Sequence, residues 1–213
     1  MIFVGTILLY KQFCLAAYIF NMIQNNPFLE SFYKNFGIPA EAQQVLLRDA
    51  EEVQFSRMEI ITWEGNTEQY MYFVLSGTQR SYYVHHDKEI TFMFSYEGDV
   101  SGIPESFLLQ KPSEYYLQAL TPSKMIRIHH NTFQQLIENY PSIAKAKSQM
   151  VEFVLEGLLK RQKELLCFTA EERFRAFMKR SAHMLQKVPQ KYLASYLGIS
   201  QETFSRFMQS IKI

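Results

Sequence analysis

The sequence has little of the cysteine on which disulfide frameworks and thiolate-bound metal clusters depend. Its 213 residues include only two cysteines, Cys14 and Cys167. Two thiols are too few for a disulfide framework or for an iron–sulfur cluster with four thiolate ligands. The adjacent histidines at 85–86 and 129–130 lack further ligands at metal-site spacing, and we interpret them as turn and strand-end residues. We therefore predict no metal site and no cofactor, and we expect Cys167 to pack as a small apolar residue.

Motifs of catalysis are also absent from the sequence. We find no phosphate-binding glycine loop, no nucleophile–base motif and no carboxylate pair that requires a catalytic explanation. We therefore predict that the protein is not an enzyme, and we assign no catalytic residue.

An excess of one charge sign is missing as well, since the formal net charge is +1. The distribution is more informative than the total. From Thr169 onward there are eight basic and three acidic residues, so this part carries +5 and the preceding residues carry about −4. A basic C-terminal module is suited to the phosphate backbone of nucleic acid, although a solvated helix face is often basic too.

A long apolar run occurs only at the start of the chain. Residues 1–20 are mostly apolar, as in a membrane span or a signal peptide. Lys11 lies within this run, no basic residue precedes it and no small-residue cleavage site follows, which argues against both. Met22 begins a stretch typical of the start of a soluble protein. We expect residues 1–21 to be a misassigned start or an apolar extension, with an anchoring helix as the alternative.

The rest of the chain divides into a β-rich part and a helical part, which predicts an α+β fold. After a helix expected within 28–50, short runs rich in aromatic and β-branched residues alternate with turns. Strands at such regular spacing are typical of a sandwich or barrel, and we predict a β-roll, a double-stranded β-helix, within residues 22–141. The predicted strands are 59–63, 70–76, 78–84, 90–94, 115–120 and 125–128.

Helical patterns begin after residue 130 and continue to the end of the sequence. One helix is predicted at 131–140, and a longer helix at 142–168 carries apolar residues at heptad-like spacing. Such a seam packs either on its own domain or on a second copy of the chain. We favour a homodimer, because a palindromic DNA site requires two copies. The seam of this predicted dimerisation helix consists of Val151, Val154, Leu158 and Leu165.

Residues 190–209 have the pattern of two short helices around a tight turn. Gly198 lies where the first helix must end, since glycine adopts the left-handed conformation without a Cβ clash. Ser200 can cap the second helix, and small Ala194 allows the two helices to cross closely. We predict a helix-turn-helix within a DNA-binding domain at 169–213, which begins with a capping box at Thr169. A helical hairpin that only forms core is the alternative.

A β-roll, a long helix and a C-terminal helix-turn-helix, in this order, resemble the Crp/Fnr family of bacterial transcription regulators. The resemblance covers residues 28–210. It implies a cytoplasmic homodimer that binds palindromic double-stranded DNA, with RNA polymerase as a further partner and with an unknown small-molecule effector or none. Family members commonly add a β-hairpin wing after the second helix, and we predict none here. The matching segments are Trp63–Gly65, Tyr72–Gly77, Tyr96–Asp99 with Gly102, Ala119–Thr121 and the turn at Gly198.

The resemblance also identifies the positions of the family's cyclic-nucleotide ligands. In members that bind cyclic AMP, a glutamate holds the ribose 2′-hydroxyl and an arginine pairs with the phosphate. The corresponding residues here are Ile103, after Gly102, and Ser113, after Pro112. Neither side chain can supply the missing charge or hydrogen bond, so we expect a divergent member that does not bind cyclic AMP in the usual way. Aromatic residues are further candidates for the effector pocket: Tyr82, Phe92 and Tyr115.

In this family, side chains of the second helix of the motif read base edges in the major groove. The resemblance assigns this role to Gln201, Glu202 and Arg206, which suit adenine, cytosine and guanine respectively. Glu202 and Arg206 are four residues apart, so a salt bridge on one helix face is the alternative interpretation. The residues better suited to DNA backbone phosphates are Lys191, Ser200, Thr203 and Ser205.

A second class of function uses the apolar start of the chain. Residues 1–20 would then anchor the β-roll at a membrane, and the C-terminal helices would contact proteins without DNA binding. Because Lys11 interrupts the apolar run, we do not expect a membrane partner and we favour the regulator.

Overall fold

The computed structural model describes residue 30, residues 33–34 and residues 37–210. The predictions for residues 1–21, and for the first part of the helix expected within 28–50, therefore lie outside the described residues. The described part of that helix is α1, Ala40–Asp49, which follows the extended Pro39. No helix within the described ranges has both the length and the apolar composition needed to cross a membrane.

Two antiparallel four-stranded sheets follow α1 and confirm the predicted β-roll. Their strand orders are β1-β8-β3-β6 and β2-β7-β4-β5, so consecutive strands change sheet everywhere except at the β4–β5 hairpin, in the manner of a roll. Strand β5 is an edge strand of the second sheet. The strands are β1 (Glu51–Phe55), β2 (Ile60–Thr62), β3 (Tyr70–Ser76), β4 (Thr78–His85), β5 (Lys88–Tyr96), β6 (Val100–Ser101), β7 (Tyr116–Ala119) and β8 (Ser123–His129).

Strand β3 is buried on both faces, because one sheet lies between the interior of the roll and a layer of helices. Met71 and Phe73 pack towards the helices, whereas Tyr72 and Val74 face the interior of the roll. An almost continuous apolar run is expected for a strand that is covered on both sides. The turn to β4 requires glycine, since a Cβ atom on Gly77 (φ 96°) would lie 2.7 Å from the Pro122 carbonyl oxygen.

The second half of the chain is helical, as predicted. Pro141 begins the long helix instead of ending the preceding one, because a proline at the first helical position has no N–H to leave unpaired. Cys167 ends this helix and is exposed, so the expectation that it packs in a core is wrong. The helices are α2 (Pro104–Leu109), α3 (His130–Asn139), α4 (Pro141–Cys167), α5 (Ala170–Ser181), α6 (Met184–Lys187), α7 (Gln190–Leu197) and α8 (Gln201–Ser210).

Candidate nucleic-acid interface and effector region

The turn between α7 and α8 has the local geometry that the sequence predicts. Gly198 is left-handed, with φ 65° and ψ 40°, and the Ile199 amide donates to the Ala194 carbonyl at 3.1 Å. The Ser200 hydroxyl accepts a hydrogen bond from the Thr203 amide at 3.1 Å, which caps the start of α8. The two helices therefore meet as a helix-turn-helix.

The buried side of this motif is continuous with the core of α5. Ala194, Leu197 and Phe204 are almost completely buried, and the Phe204 ring meets the Phe174 ring edge to face at 5.4 Å. The Arg173 guanidinium donates to the Leu197 carbonyl at 2.9 Å and satisfies the C-terminal end of α7. Because α8 is held by one side only, its opposite side is left for contacts outside the chain.

The three side chains assigned to base reading lie on the exposed side of α8. Gln201, Glu202 and Arg206 are exposed. Hydrogen bonds from its own amide and from Ser200 lower the pKa of the Glu202 carboxyl, so this carboxylate is ionised and belongs to the capped first turn. Among the described residues there is no ion pair between Glu202 and Arg206, which argues against the salt-bridge alternative. The Arg206 guanidinium lies 5.7 Å from the Phe207 ring centroid.

The residues assigned to phosphates are close to these three but differ in their surroundings. Lys191 is exposed at the start of α7, and its ammonium lies 4.6 Å from the Tyr192 ring centroid. The Ser200 and Thr203 hydroxyls hydrogen-bond to each other at 3.1 Å, and Ser205 is half-buried. Lys191 is thus the one of these four that presents a charge to solvent.

A cluster of charged side chains connects the end of α4 to the helices that follow it. Glu164 is buried and accepts hydrogen bonds from Arg180, one of them at 2.9 Å. Burial alone would raise the pKa of the Glu164 carboxyl, but the hydrogen bonds from Arg180 and the charge of Arg161 hold it below its usual value. The Arg161 guanidinium in turn covers the Tyr196 ring of α7 at 4.1 Å.

The helix-turn-helix also contacts the edge strand of its own β-roll, which the sequence does not predict. The Ser195 hydroxyl accepts from the Thr91 amide and donates to the Glu89 carbonyl, both at 3.0 Å. One side chain of α7 thereby satisfies two main-chain groups of the β5 edge, where a neighbouring strand would otherwise bind.

Arg80 lies beneath this contact, and its side chain is completely buried. Its guanidinium is stacked between the rings of Tyr82, at 4.0 Å, and Tyr192 of α7, at 3.8 Å. Its nitrogens donate to the Gln118 side chain, at 2.8 and 2.9 Å, and to the Glu89 carboxylate. A buried guanidinium remains protonated, so these partners are what make its burial tolerable.

The structure separates the three aromatic residues that were assigned to the effector pocket. Phe92 and Tyr115 meet at 5.0 Å on the inner face of the second sheet. Tyr82 lies on the outer face of this sheet, stacked on Tyr116 at 4.9 Å and next to Arg80. Neighbouring residues of a strand point to opposite faces, so Tyr116 and its stacking partner Tyr82 lie on the opposite side of the sheet from Tyr115 and Phe92.

The positions of the family's cyclic-nucleotide ligands carry groups of a different kind. Ile103 is fully buried in the apolar interior of the roll, against residues such as Tyr72 and Leu117. Ser113 is buried, and its hydroxyl accepts from the Tyr115 amide and donates to the Tyr115 carbonyl, both at 2.9 Å. Gly102 has φ 140°, and Pro112 is exposed next to Ser113. Ile103 is therefore part of the apolar core, and the Ser113 hydroxyl stabilises a turn.

Two further features of this region disfavour a phosphate. Helix α2 begins with Pro104, which has no N–H to offer to an anion. Burial raises the pKa of the Glu105 carboxyl and the nearby Glu114 carboxylate raises it further, so two acidic side chains lie close together here. Glu68, which the sequence analysis missed, holds α2 in place: its amide donates to Ser106 at 2.9 Å, and its buried carboxyl accepts from Thr62 at 2.6 Å.

Much of the predicted seam of α4 is left exposed by its own chain. Val151, Leu158 and Leu165 are exposed and Val154 is half-buried, although all four are apolar. Phe153, on another side of the helix, is 77% exposed. Large apolar side chains rarely remain in water in such number along one helix unless a partner covers them.

Comparisons with known proteins agree with this architecture. Residues 52–140 match the family model of the cyclic nucleotide-binding domain. The fold is similar to that of FixK2 from Bradyrhizobium japonicum, with a TM-score of 0.69 and 21% identity, covering 75% of this chain and 83% of that one. It is similar to that of a CooA mutant from Carboxydothermus hydrogenoformans, with a TM-score of 0.64 and 19% identity, covering 85% of this chain and 84% of that one. It is also similar to that of CLP from Xanthomonas campestris, a c-di-GMP-responsive global regulator, with a TM-score of 0.62 and 19% identity, covering 80% of this chain and 90% of that one. At such identities the likeness to these structures is one of fold. Comparison with curated protein sequences gives no match.

Proposed function

We propose that this chain is a sequence-specific, DNA-binding transcription regulator of the Crp/Fnr type. It binds a palindromic site as a dimer through α4, and its effector is not cyclic AMP, or it has none. The observation that carries this proposal is the exposed side of α8, where Gln201, Glu202 and Arg206 follow a capped, left-handed turn. Such a turn presents the N-terminal residues of the second helix to the major groove.

The chemistry of the exposed side supports reading of bases and not only of the backbone. Arg206 pairs with no carboxylate among the described residues and is available for the O6 and N7 atoms of guanine, and glutamine suits adenine. Lys191 adds a charge at the start of α7, where the first helix of the motif crosses the DNA backbone. The basic balance of the residues after Thr169 supplies the general attraction to DNA.

The dimer is supported by the uncovered seam of α4. Val151 and Leu165 are separated by two heptads, a distance of roughly 21 Å along the helix. A second copy of α4 would cover these residues and place the two α8 helices at symmetric positions. This symmetry is what a palindromic site requires.

The proposal for the effector rests on Ile103, Ser113 and Pro104. Together they leave the roll without the carboxylate, the guanidinium and one of the amides that would bind a cyclic nucleotide monophosphate. The negative charge around Glu105 and Glu114 favours a ligand without a phosphate, or no ligand.

Selection of DNA from a random duplex pool with the purified protein tests this function. We expect enrichment of one palindromic site, bound by two copies of the chain. Enrichment of non-palindromic sequences would overturn the dimeric mode of reading, and absence of any enriched sequence would overturn the assignment as a sequence-specific regulator.

A further inference from the structure

A cleft of about 390 Å³ separates the tip of the β4–β5 hairpin from the helix-turn-helix. One wall carries Lys88 and Glu89 of the hairpin, and the opposite wall includes Lys191 of α7 and Gln201 of α8. Two of these residues, Lys191 and Gln201, are already assigned to DNA. The cleft therefore brings a segment of the β-roll beside the end of α8 that would enter the major groove.

The hairpin is fixed in this place by contacts with the helix-turn-helix. Ser195 holds the main chain of β5 through its two hydrogen bonds to Thr91 and Glu89. The stack of Arg80 on Tyr192 joins the underlying sheet to the same helix. Because Ser195 holds β5 at Glu89, next to Lys88, and Arg80 holds the neighbouring strand β4, the fold places the main chain of Lys88 beside α7.

The cleft has a net positive charge. Lys88 and Lys191 form no ion pair with a carboxylate in the part of the chain that the structure describes. Glu89 also lines the cleft, but its carboxylate is paired with the buried and permanently charged Arg80. Two lysines thus line the same solvent-exposed cleft, and their charges favour an anion there.

We propose that the β4–β5 hairpin is part of the DNA interface and that Lys88 binds a backbone phosphate beside the one bound by Lys191. This inference rests on the proposed function and extends it, because the contact comes from the sensor domain and not from the helix-turn-helix. The hairpin would flank α8 and contact the DNA strand that borders the groove. A phosphate contact adds affinity and orientation without sequence preference.

An opposite role for the hairpin makes the opposite prediction. If the hairpin only obstructs the approach of DNA to α8, the removal of a charge from its tip leaves binding unchanged or improves it. The positive charges of Lys88 and Lys191 favour attraction, because obstruction of DNA does not require positive charge.

The test is the salt dependence of DNA binding by the full chain with Lys88→Ala. On the selected palindrome and on an unrelated duplex, we expect affinity to fall by roughly fivefold to tenfold at 0.1 M salt. The slope of log K against log salt should become shallower by about two, because each of the two bound copies loses one phosphate contact. Lys88→Arg should retain the wild-type slope. Lys145→Ala is the matched control, because Lys145 is exposed near the start of α4, and it should bind as the wild type.

Three results would overturn the inference. An unchanged slope for Lys88→Ala with normal wild-type binding overturns the hairpin contact alone, and so does an affinity higher than that of the wild type. A wild-type protein that binds neither duplex overturns both this inference and the proposed function.

Discussion

Gly198, Tyr82 and Arg80 owe their conformations to neighbours at increasing distances along the chain. A left-handed turn at Gly198 depends on a few neighbouring residues, so its local sequence predicts it and the structure confirms it. The direction of Tyr82 depends on its place in the alternation of β4, next to a register shift after Ser81, and the structure pairs Tyr82 with Tyr116, apart from Phe92 and Tyr115. The burial of Arg80 was not predicted, since its partner Tyr192 lies more than a hundred residues further along the chain.

Replacement of Arg206 by alanine tests base reading at the residue scale. We expect Arg206→Ala to lose about 1–3 kcal/mol of discrimination at one base pair of the selected site, because the bidentate contact with guanine is removed. The measurement is a set of dissociation constants for the palindrome and for the three variant base pairs at each position.

Arg48→Ala is the control for this experiment. Arg48 is an exposed arginine of α1 that pairs with its neighbour Asp49, and it lies outside the proposed interface. An equal loss of affinity by Arg206→Ala on every sequence would mean that Arg206 contacts only phosphates.

The helices and strands could be predicted to the degree that each carries its own periodic pattern. Strand β3 was predicted with its observed ends, because its apolar run is bounded by turn residues. Strands β1 and β6 were missed: β1 is rich in glutamate, and β6 has two residues and exists only through its pairing with β3. The heptad spacing of α4 predicted the helix, but only the exposure of its seam in the folded chain supports the role in dimerisation.

A charge on the seam of α4 tests the dimer at the scale of this element. We expect Leu158→Glu to weaken self-association by roughly 100-fold or more, because two unpaired carboxylates would be buried against each other. Sedimentation velocity over a range of concentrations gives the dissociation constant of the dimer.

Leu109→Glu serves as the control, since Leu109 is 62% exposed on α2 and lies outside the seam. A dimer of normal strength in Leu158→Glu would place the contact on another face of the helix. An unchanged thermal midpoint in both variants would exclude misfolding as the cause of dissociation.

The whole molecule combines a domain whose fold is shared with nucleotide sensors and an interior that is filled by the chain's own side chains. The order of a β-roll, a long helix and a helix-turn-helix could be predicted because each part has its own pattern of apolar, polar and turn residues in the sequence. The contact between the roll and α7 could not, because it joins two parts that are each complete without it. The β-roll is thus present in this chain with Ile103 and Ser113 at the positions where the resemblance places cyclic-nucleotide ligands, and a fold of this kind does not by itself determine the ligand.

Thermal unfolding with cyclic AMP tests this separation at the scale of the whole molecule. A ligand at 100 times its dissociation constant stabilises the folded state by about 2.7 kcal/mol, which corresponds to roughly 5–10 °C for a chain of this size. We expect no measurable shift with cyclic AMP at millimolar concentration. A large shift would show that the roll retains a nucleotide site despite Ile103 and Ser113.

The guanidinium of Arg80 has one aromatic neighbour in each half of the molecule, and this has a consequence for cooperativity. When either half unfolds, the guanidinium loses the aromatic ring that this half contributes. The free energies of unfolding of the two halves are therefore coupled. The β-roll and the helix-turn-helix should therefore melt as one unit, and a ligand that stabilises either one will raise the melting temperature of both.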